Sequence, residues 1–325
     1  MTTEVTRLYD AFPFPSPGAE LPLIEVVADE MHLLVEDGSL DGWTVLDAGC
    51  GTGHTLVGLA RACPGARFVG LDACGTSLDI ARSLAERHGT DNVEFVHGDL
   101  LDVRLHRRFD LVVSFGVVHH LPDPRAGLHR LAGLLADDGL LHLWLYNSTG
   151  EHGRMFDREL VRLLAAGDDP ASGLAAARAL GLRLSLDRYG FPAGWTGAGM
   201  SPAEQDVFDA DAYAHPVVHT MRFADVPDLF AGVGVDWVAA DRVYGPRGTP
   251  FVDLGGTQAD PGGHVRCEDL FDDPDLRGRA ASLDNLGRAR AIELALRPTG
   301  FRLLAGRGAG LLRCVPRIRG NLLIP

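Results

Sequence analysis

Lysine is absent from this sequence. All 30 basic residues among its 325 are arginine, and they stand against 44 acidic residues, which leaves a formal net charge of −14. A surface this acidic repels phosphate backbones. Nucleic acid is therefore not expected as a partner.

Paired cysteines and long apolar runs are also lacking. The five cysteines are an odd number and none forms a C-x-x-C pair, which argues against a disulfide framework or a structural zinc site. No stretch of 18 apolar residues occurs, and the first residues show no basic segment followed by an apolar run. We expect a protein without a membrane segment, located in the cytoplasm.

Short apolar runs alternate with helical patterns between residues 43 and 147, after a predicted helix at 20–38. The runs lie at 43–49, 67–73, 93–99, 109–118 and 140–147, and the helical patterns at 53–63, 77–89 and 124–139. Such alternation is typical of βαβ units on a parallel sheet that is covered on both faces. The sequence therefore predicts an α/β fold with a doubly wound, mostly parallel sheet.

A glycine-rich turn follows the first run, in the segment VLDAGCGTG at residues 45–53. Gly49, Gly51 and Gly53 would let a ligand approach the backbone closely and would adopt backbone angles that other residues resist. Asp47 stands two residues before the first glycine, where its charge repels a pyrophosphate and attracts a cation. The ligand of this turn should carry a positive group.

Two further carboxylates end the next two apolar runs. Asp72 closes FVGLD, nineteen residues after Gly53, where it can accept hydrogen bonds from both hydroxyls of a ribose. Asp99 closes VEFVHGD. With Asp47, these residues place three carboxylates at the ends of successive strands, along the edge where ligands bind in such sheets.

The segments VLDAGCGTG, FVGLDA, VEFVHGDLLD, FDLVVSFGVVHHLPDP and LLADDGLLHLWLY together resemble the class I S-adenosylmethionine-dependent methyltransferases, over about residues 40 to 147. The resemblance implies S-adenosylmethionine as cofactor and a Rossmann-like, seven-stranded sheet. In that sheet VDWVAADRV and GFRLLAGR would be the antiparallel strands. It also implies these cofactor-binding positions: Asp47, Gly49, Gly51 and Gly53 around the methionine and ribose part, Asp72 and Ala73 at the ribose, Asp99 and Leu100 at the adenine, and Phe115 and Gly116 by the methionine end.

A second resemblance covers both ends of the chain. RLYDAFPFP, which contains Tyr9, is similar to the entry segment of a bacterial methyltransferase group, and DAYAHPVVHTMRFADVPDLFAGVGV is similar to that group's His-Pro-x-x-His stretch. Some members of the group carry tetratricopeptide repeats, which this sequence lacks. The entry segment either packs on the core as an ordered arm or closes over the cofactor, with Tyr9 among the cofactor contacts.

Three histidines are candidates for a catalytic base, although each also has a structural interpretation. His119 and His120 follow a buried run, at the rim of the predicted cleft, and His219 lies in the His-Pro-x-x-His stretch. His215 and His219 are four residues apart, a spacing that could hold a metal on a helix, but Pro216 opposes a continuous helix there. We expect no metal site.

The sequence predicts four segments: an N-terminal arm and cap helix (1–40), a cofactor-binding core (41–150), a helical lid that forms the acceptor pocket (151–221), and a C-terminal completion of the sheet with a long loop (222–325). The expected reaction is methyl transfer to O, N or C of a small-molecule acceptor, of the specialised-metabolite kind. The alternatives are a peptide or protein acceptor, a non-catalytic S-adenosylmethionine-binding protein, and an NAD-dependent Rossmann enzyme. The oligomeric state stays open, with a homodimer among the options.

Overall fold

The computed structural model describes residues 3–16, 34–36, 38–189, 200–258 and 263–325. Most of the helix predicted at 20–38 lies outside these residues. The strands of the described part are β1 Thr44–Ala48, β2 Arg67–Asp72, β3 Val93–His97, β4 Phe109–Phe115, β5 Leu135–Tyr146, β6 Trp237–Tyr244, β7 Phe251–Val252, β8 His264–Val265, β9 Gly300–Gly306 and β10 Leu322–Ile324.

Helices cover both faces of the sheet that these strands form. They are α1 Thr3–Ala11, α2 His54–Ala62, α3 Gly75–Arg87, α4 Pro124–Gly133, α5 Ser148–Leu164, α6 Pro170–Ala179, α7 Pro202–Asp209, α8 Val226–Phe230, α9 Pro274–Ala281, α10 Asn285–Leu296 and α11 Pro316–Gly320. Within the residues that are described, we find no helix with the length and apolarity that a bilayer crossing requires.

The sheet runs in the order β3-β2-β1-β4-β5-β9-β6-β7-β8, with β10 beside β6. Strands β1 to β5 pair in parallel, as expected for runs that are apolar on both faces. Strands β2 and β3 lie on one side of β1 in the sheet, and β4 and β5 lie on its other side. At this change of direction, a crevice opens beyond the carboxyl ends of β1 and β4. The predicted doubly wound α/β fold is confirmed, and the glycine turn opens into this crevice.

The predicted seven-stranded sheet is too small, because the described part forms ten strands. The two predicted antiparallel strands are present as β6 and β9, and β9 lies between β5 and β6. The additional strands β7, β8 and β10 are two or three residues long. Strands this short leave no alternating pattern that a sequence could show.

The helix predicted at 124–139 is also too long. The structure ends α4 at Gly133 and begins β5 at Leu135, which pairs with Phe109. The next paired residues are Leu111 and Leu140, so the intervening Asp-Asp-Gly segment is accommodated as an irregularity within β5. This pairing along β4 overrides the helical pattern of the sequence.

The segment predicted as a lid leaves the sheet and returns to it at the same place. The Ser148 N–H donates to the Met221 carbonyl over 3.0 Å, and the Met221 N–H donates to the Tyr146 carbonyl over 2.9 Å. Between these anchors, α5, α6 and α7 contribute to a small apolar core that also includes Tyr146 of β5. Two buried arginines of α5, Arg154 and Arg158, donate to the carbonyl of Ala212, which lies within the helical turn Ala210–Ala214.

Candidate active site

The glycine turn between β1 and α2 makes close contacts that only glycine permits. Gly49, Gly51 and Gly53 all have positive φ angles, of 90°, 52° and 83°. A Cβ atom at Gly49 would lie 2.3 Å from the Val117 side chain, and one at Gly51 would lie 2.3 Å from the Phe14 carbonyl oxygen. Both the backbone angles and the space therefore require glycine at these positions.

Asp72, at the end of β2, supports this turn directly. Its carboxylate accepts hydrogen bonds from the Gly51 N–H and the Cys74 N–H, each over 2.8 Å. Burial raises the pKa of Asp72, while these N–H groups favour its ionised form. The carboxylate also lines the cavity described below, and its contact with a ribose stays a prediction.

Asp47 lies beside Asp72 at the end of β1 and is buried. Burial, and after it the charge of Asp72, raise the pKa of Asp47 from 3.8 to about 7. A positively charged ligand would reverse this effect, because it stabilises the ionised carboxylate. The two carboxylates and the open turn thus fit a cationic nucleoside such as S-adenosylmethionine.

One cavity of about 260 Å³ joins the glycine turn to the lid. Its first end is formed by the turn and the two carboxylates, and its second end by rings from the sheet and the lid. The second end is lined by Phe115, Trp144, Tyr146, Tyr189, Phe208 and Tyr244, together with Leu184, Leu186 and Arg302. Of the positions named from the sequence, those that line the cavity are Tyr9, Asp47, Gly49, Gly51, Asp72, Phe115, Gly116 and His120.

The remaining named positions lie outside this lining. Gly53 packs against Ala81 of α3, and the Ala73 carbonyl contacts the ring of His97. Asp99 accepts a hydrogen bond from the Leu101 N–H just after β3, and Leu100 is buried in the core beside it. Their predicted roles at the ribose and adenine stay predictions.

The N-terminal arm, residues 3–16, crosses the mouth of the glycine turn. The Phe14 carbonyl accepts from the Thr52 N–H over 3.2 Å, and the Pro15 carbonyl accepts from the Thr52 hydroxyl over 2.8 Å. Tyr9 donates to the carboxylate of Asp211 in the lid over 2.9 Å. The arm therefore joins the glycine turn to the segment predicted as a lid, and its closure over the cofactor stays a prediction.

The three candidate histidines occupy different environments. His120 lines the cavity and donates from Nδ1 to the Val217 carbonyl over 2.8 Å, which leaves the lone pair on Nε2. Burial lowers its pKa to about 4, so the ring is neutral at pH 7. His119 is fully buried between Trp144 and Tyr146, and the backbone N–H of His219 donates to the His119 carbonyl.

His215 and His219 do not share a helix face, because the helical turns end at Ala214. Instead, His215 stacks on His120 with 3.7 Å between ring centroids, and ligand atoms of His120, Asp211 and His215 lie within 4.8 Å of one another. The Val217 N–H donates to Nδ1 of His215 over 3.1 Å, which places the proton of the neutral ring on Nε2. Metal binding through Nε2 would require the other tautomer, which would break the bond from Val217; in the described structure Nε2 of His215 is buried without a hydrogen-bond partner.

Sequence reasoning missed Asp211 as a cavity residue, and it missed Trp144 and Arg302 as well. The signals were present but weak: Arg302 is the one charged residue in GFRLLAG, and Trp144 is the largest side chain in LLHLWLY. The two residues are directly paired across β5 and β9. Only the strand pairing shows that they face the same cavity.

Comparison with known proteins gives one consistent class. A family model described as a methyltransferase domain matches residues 45–139. An uncharacterised protein of Synechococcus sp. is 30% identical over 94% of this chain and 72% of its own length. Trans-aconitate 2-methyltransferase of Methylobacterium radiotolerans is 31% identical over 64% of this chain and 69% of its own length.

Solved structures agree on the fold. PKMT2 from Rickettsia typhi superimposes with a TM-score of 0.57 at 14% identity, over 94% of this chain. This chain spans 55% of the length of that protein. At such low identity the likeness concerns the arrangement of strands and helices alone.

Proposed function

Because this chain belongs to the class I S-adenosylmethionine-dependent methyltransferases, we propose that it methylates O, N or C of a small-molecule acceptor held in the cavity between the sheet and the lid. The observation that carries the proposal is the continuity of this cavity. Its cofactor end and its ring-lined end form one space of about 260 Å³. A pocket of this kind suits a compact, largely apolar molecule.

The arm and the lid support a small acceptor over a peptide or protein. Tyr9 of the arm is hydrogen-bonded to Asp211 of the lid, so these two segments meet beside the cavity. Phe14 of the arm also packs edge-on against Phe208 of the lid, with 5.4 Å between ring centroids. A polypeptide substrate would need an open groove in this place.

S-adenosylmethionine, when bound, supplies a methyl group on a positively charged sulfur whose departure as a sulfide needs no metal. The chain's contribution is to hold the two reactants in line and to exclude water. Asp47 and Asp72 favour the cationic ligand, and the rings at the far end hold the acceptor. The missing Cβ atoms of the glycine turn let Val117 and the Phe14 carbonyl pack against it, which fixes its backbone at the cofactor end of the cavity.

We assign to His120 the removal of a proton from an O–H or N–H acceptor. Its Nε2 lone pair is available because Nδ1–H is bound to the Val217 carbonyl. The carboxylate of Asp211 lies in the same cluster and would stabilise the ring once it becomes protonated. An acceptor that is already a carboxylate would need no base.

The direct test is transfer of a labelled methyl group into a bacterial extract that has been separated by size. Incubation with methyl-labelled S-adenosylmethionine should label a component of the fraction below about 1 kDa, detected by mass spectrometry. The Asp72→Asn variant is the control, because it weakens the cofactor site and leaves the lid unchanged. We expect no label in the fraction of large molecules.

Each other outcome points to an alternative function. Label in the protein fraction would support a peptide or protein acceptor and contradict our proposal. Binding of S-adenosylmethionine without any labelled product, across extracts of different origin, would support a non-catalytic binding protein. A rise in melting temperature with NAD but not with S-adenosylhomocysteine would support a dehydrogenase.

A further inference from the structure

We propose that the acceptor atom is the nitrogen of a primary aromatic amine, which donates its two N–H groups to His120 and Asp211. The inference rests on the proposed function and narrows its acceptor from O, N or C to N. Three features of the cavity carry it: the hydrogen-bonding character of two side chains, the spacing between them, and the flat rings beside them.

His120 and Asp211 both line the cavity and offer hydrogen-bond acceptors to it. The Nδ1–H group of His120 donates to the Val217 carbonyl, so Nε2 of the neutral ring can only accept. One carboxylate oxygen of Asp211, Oδ1, accepts from Tyr9 over 2.9 Å. Among the described residues none donates to the other oxygen, and an ionised carboxylate is an acceptor only. A ligand that satisfies both side chains must therefore supply two hydrogen-bond donors.

The spacing of these two acceptors suits a single –NH2 group. A ring nitrogen of His120 and a carboxylate oxygen of Asp211 lie within 4.8 Å of each other. An –NH2 group that donates two bonds of about 2.9 Å holds its acceptors about 5 Å apart. A hydroxyl group has one hydrogen and leaves one acceptor unpaired, which costs binding free energy. A carboxylate ligand has no hydrogen to donate and is repelled by the charge of Asp211.

Neighbouring side chains hold this pair in place. His215 stacks on the ring of His120 with 3.7 Å between ring centroids. The buried Arg158 donates to the carbonyls of Ala212 and His215, which fixes the turn that carries Asp211 to α5. Neither Arg158 nor His215 is among the described residues that line the cavity, so both leave the two acceptors open to a ligand.

The rings beside the pair favour a planar ligand. The ring of His120 meets Tyr146 edge-on with 5.8 Å between centroids, and Tyr146 meets Trp144 edge-on with 4.9 Å. Trp144 lies across Gly300 of β9, where a Cβ atom would be 2.6 Å from the indole ring, so glycine lets the indole lie low over the sheet. An amine on an aromatic ring that packs against Trp144 and Tyr146 would therefore lie next to His120.

The proton balance of the transfer also favours an aromatic amine. The neutral amine nitrogen forms the N–CH3 bond with its lone pair, the C–S bond breaks, and the bonding pair stays on the sulfur of S-adenosylhomocysteine. The nitrogen then carries a positive charge and gives one of its protons to Nε2 of His120. Burial, opposed by the charge of Asp211, lowers the pKa of His120 to about 4. A ring with this pKa takes a proton readily from an arylammonium, a far stronger acid than a phenol, whose pKa is about 10.

The test compares three probes in the complex with S-adenosylhomocysteine at neutral pH. Calorimetric titration should show 4-ethylaniline bound about tenfold more tightly than 4-ethylphenol, the effect of one further hydrogen bond to a charged group. The third probe, 4-ethyl-N,N-dimethylaniline, has no N–H group and should bind no more tightly than the phenol. In Asp211→Asn the side chain still accepts from Tyr9 but presents an –NH2 group to the cavity, so the preference for the amine over the phenol should vanish.

Asp168→Asn, at an exposed position of the lid segment, is the matched control and should keep the preference. S-adenosylhomocysteine affinity, measured first, should be equal in all variants. The inference is overturned if 4-ethylaniline does not bind up to its solubility limit, if it binds no more tightly than either of the other probes, or if its preference persists in Asp211→Asn.

The labelling experiment separates this inference from the proposed function. A labelled small molecule whose new methyl group is attached to oxygen or carbon, identified by its fragmentation in mass spectrometry, would overturn the inference and leave the proposed function standing. Label confined to large molecules would overturn the proposed function, while the titrations still decide whether the cavity binds an aromatic amine.

Discussion

At the scale of single residues, Asp47 should couple cofactor binding to pH. Its pKa in the ligand-free protein is raised to about 7, and a cationic ligand favours the ionised form. Binding near pH 7 should therefore release protons, and affinity should increase between pH 6 and pH 8. Calorimetry of S-adenosylmethionine binding, in two buffers that differ in ionisation enthalpy, measures the release directly.

The same carboxyl group affects stability with a defined sign. Because its folded-state pKa is raised from 3.8 to about 7, the folded protein holds more protons than the unfolded chain between these values. The free energy of unfolding should fall as the pH rises through this window and then level off. Asp47→Asn should abolish both this slope and the proton release; a variant that keeps either one would show that another group is responsible.

His120 should affect turnover far more than cofactor binding. With the acceptor identified by methyl labelling, His120→Gln should lower kcat by about a hundredfold or more if the acceptor carries a proton that must be removed. Its affinity for S-adenosylhomocysteine should change less than threefold. His129→Gln, at an exposed position of α4, is the control, and equal kcat values in the two variants would exclude a base at His120.

The residues that sequence alone could identify are those whose role is local. Gly49 and Gly51 are recognisable because the end of the strand and the turn after it lie in one nine-residue segment, 45–53. Asp47 belongs to the same segment. Arg302 enters the cavity only through the pairing of β9 with β5, across more than 150 residues. Asp211 enters it through the fold of the lid. No short spacing could reveal contacts that arise from such distant parts of the chain.

At the scale of elements, the position of the arm should depend on the absence of a side chain at Gly51. In Gly51→Ala the new Cβ would meet the Phe14 carbonyl oxygen at 2.3 Å, where the residue also has a positive φ. We expect displacement of the arm and at least tenfold weaker binding of S-adenosylhomocysteine. Calorimetric titration measures the affinity, and limited proteolysis near residue 15 reports on the arm.

Gly42→Ala provides the matched control, because Gly42 also has a positive φ, of 81°, but nothing lies within 4 Å of its Cβ position. This variant should lower stability by about 1 kcal/mol through backbone strain and leave binding unchanged. If both variants bind equally well, the contact between the arm and the turn has no role in holding the cofactor.

The elements that sequence predicted well are those with many residues in one pattern. The parallel strands and α2 and α3 agree with the predicted runs within a few residues. The boundary between α4 and β5 was misplaced because its Asp-Asp-Gly segment looks like a helix end, whereas the structure places it within a strand. The sequence pattern does not predict how the lid helices pack against one another. Their packing depends on contacts between distant residues, such as the hydrogen bond from Arg154 to the Ala212 carbonyl.

At the scale of the whole molecule, the lid should be separable from the cofactor-binding sheet. Tyr146 and Met221 are hydrogen-bonded neighbours, so a short Gly-Ser linker in place of residues 151–221 can join the ends of the insertion without stretching the chain. We expect measurable binding of S-adenosylhomocysteine and complete loss of methyl transfer. Circular dichroism verifies that the sheet folds; a folded protein that no longer binds the cofactor would show that the lid belongs to the cofactor site.

The position of the arm has a consequence for the timing of the reaction cycle. Phe14 and Pro15 are bound to Thr52 across the turn that is predicted to hold the cofactor, so we expect these two hydrogen bonds to open before the spent cofactor leaves. The first methyl transfer in a rapid-mixing experiment should then be faster than every later one, giving an initial burst of product equal to the enzyme concentration. Added glycerol should slow the later cycles and leave the burst unchanged. Solvent viscosity slows the movement of a chain segment through solvent, whereas it does not affect the transfer of a methyl group between two bound atoms.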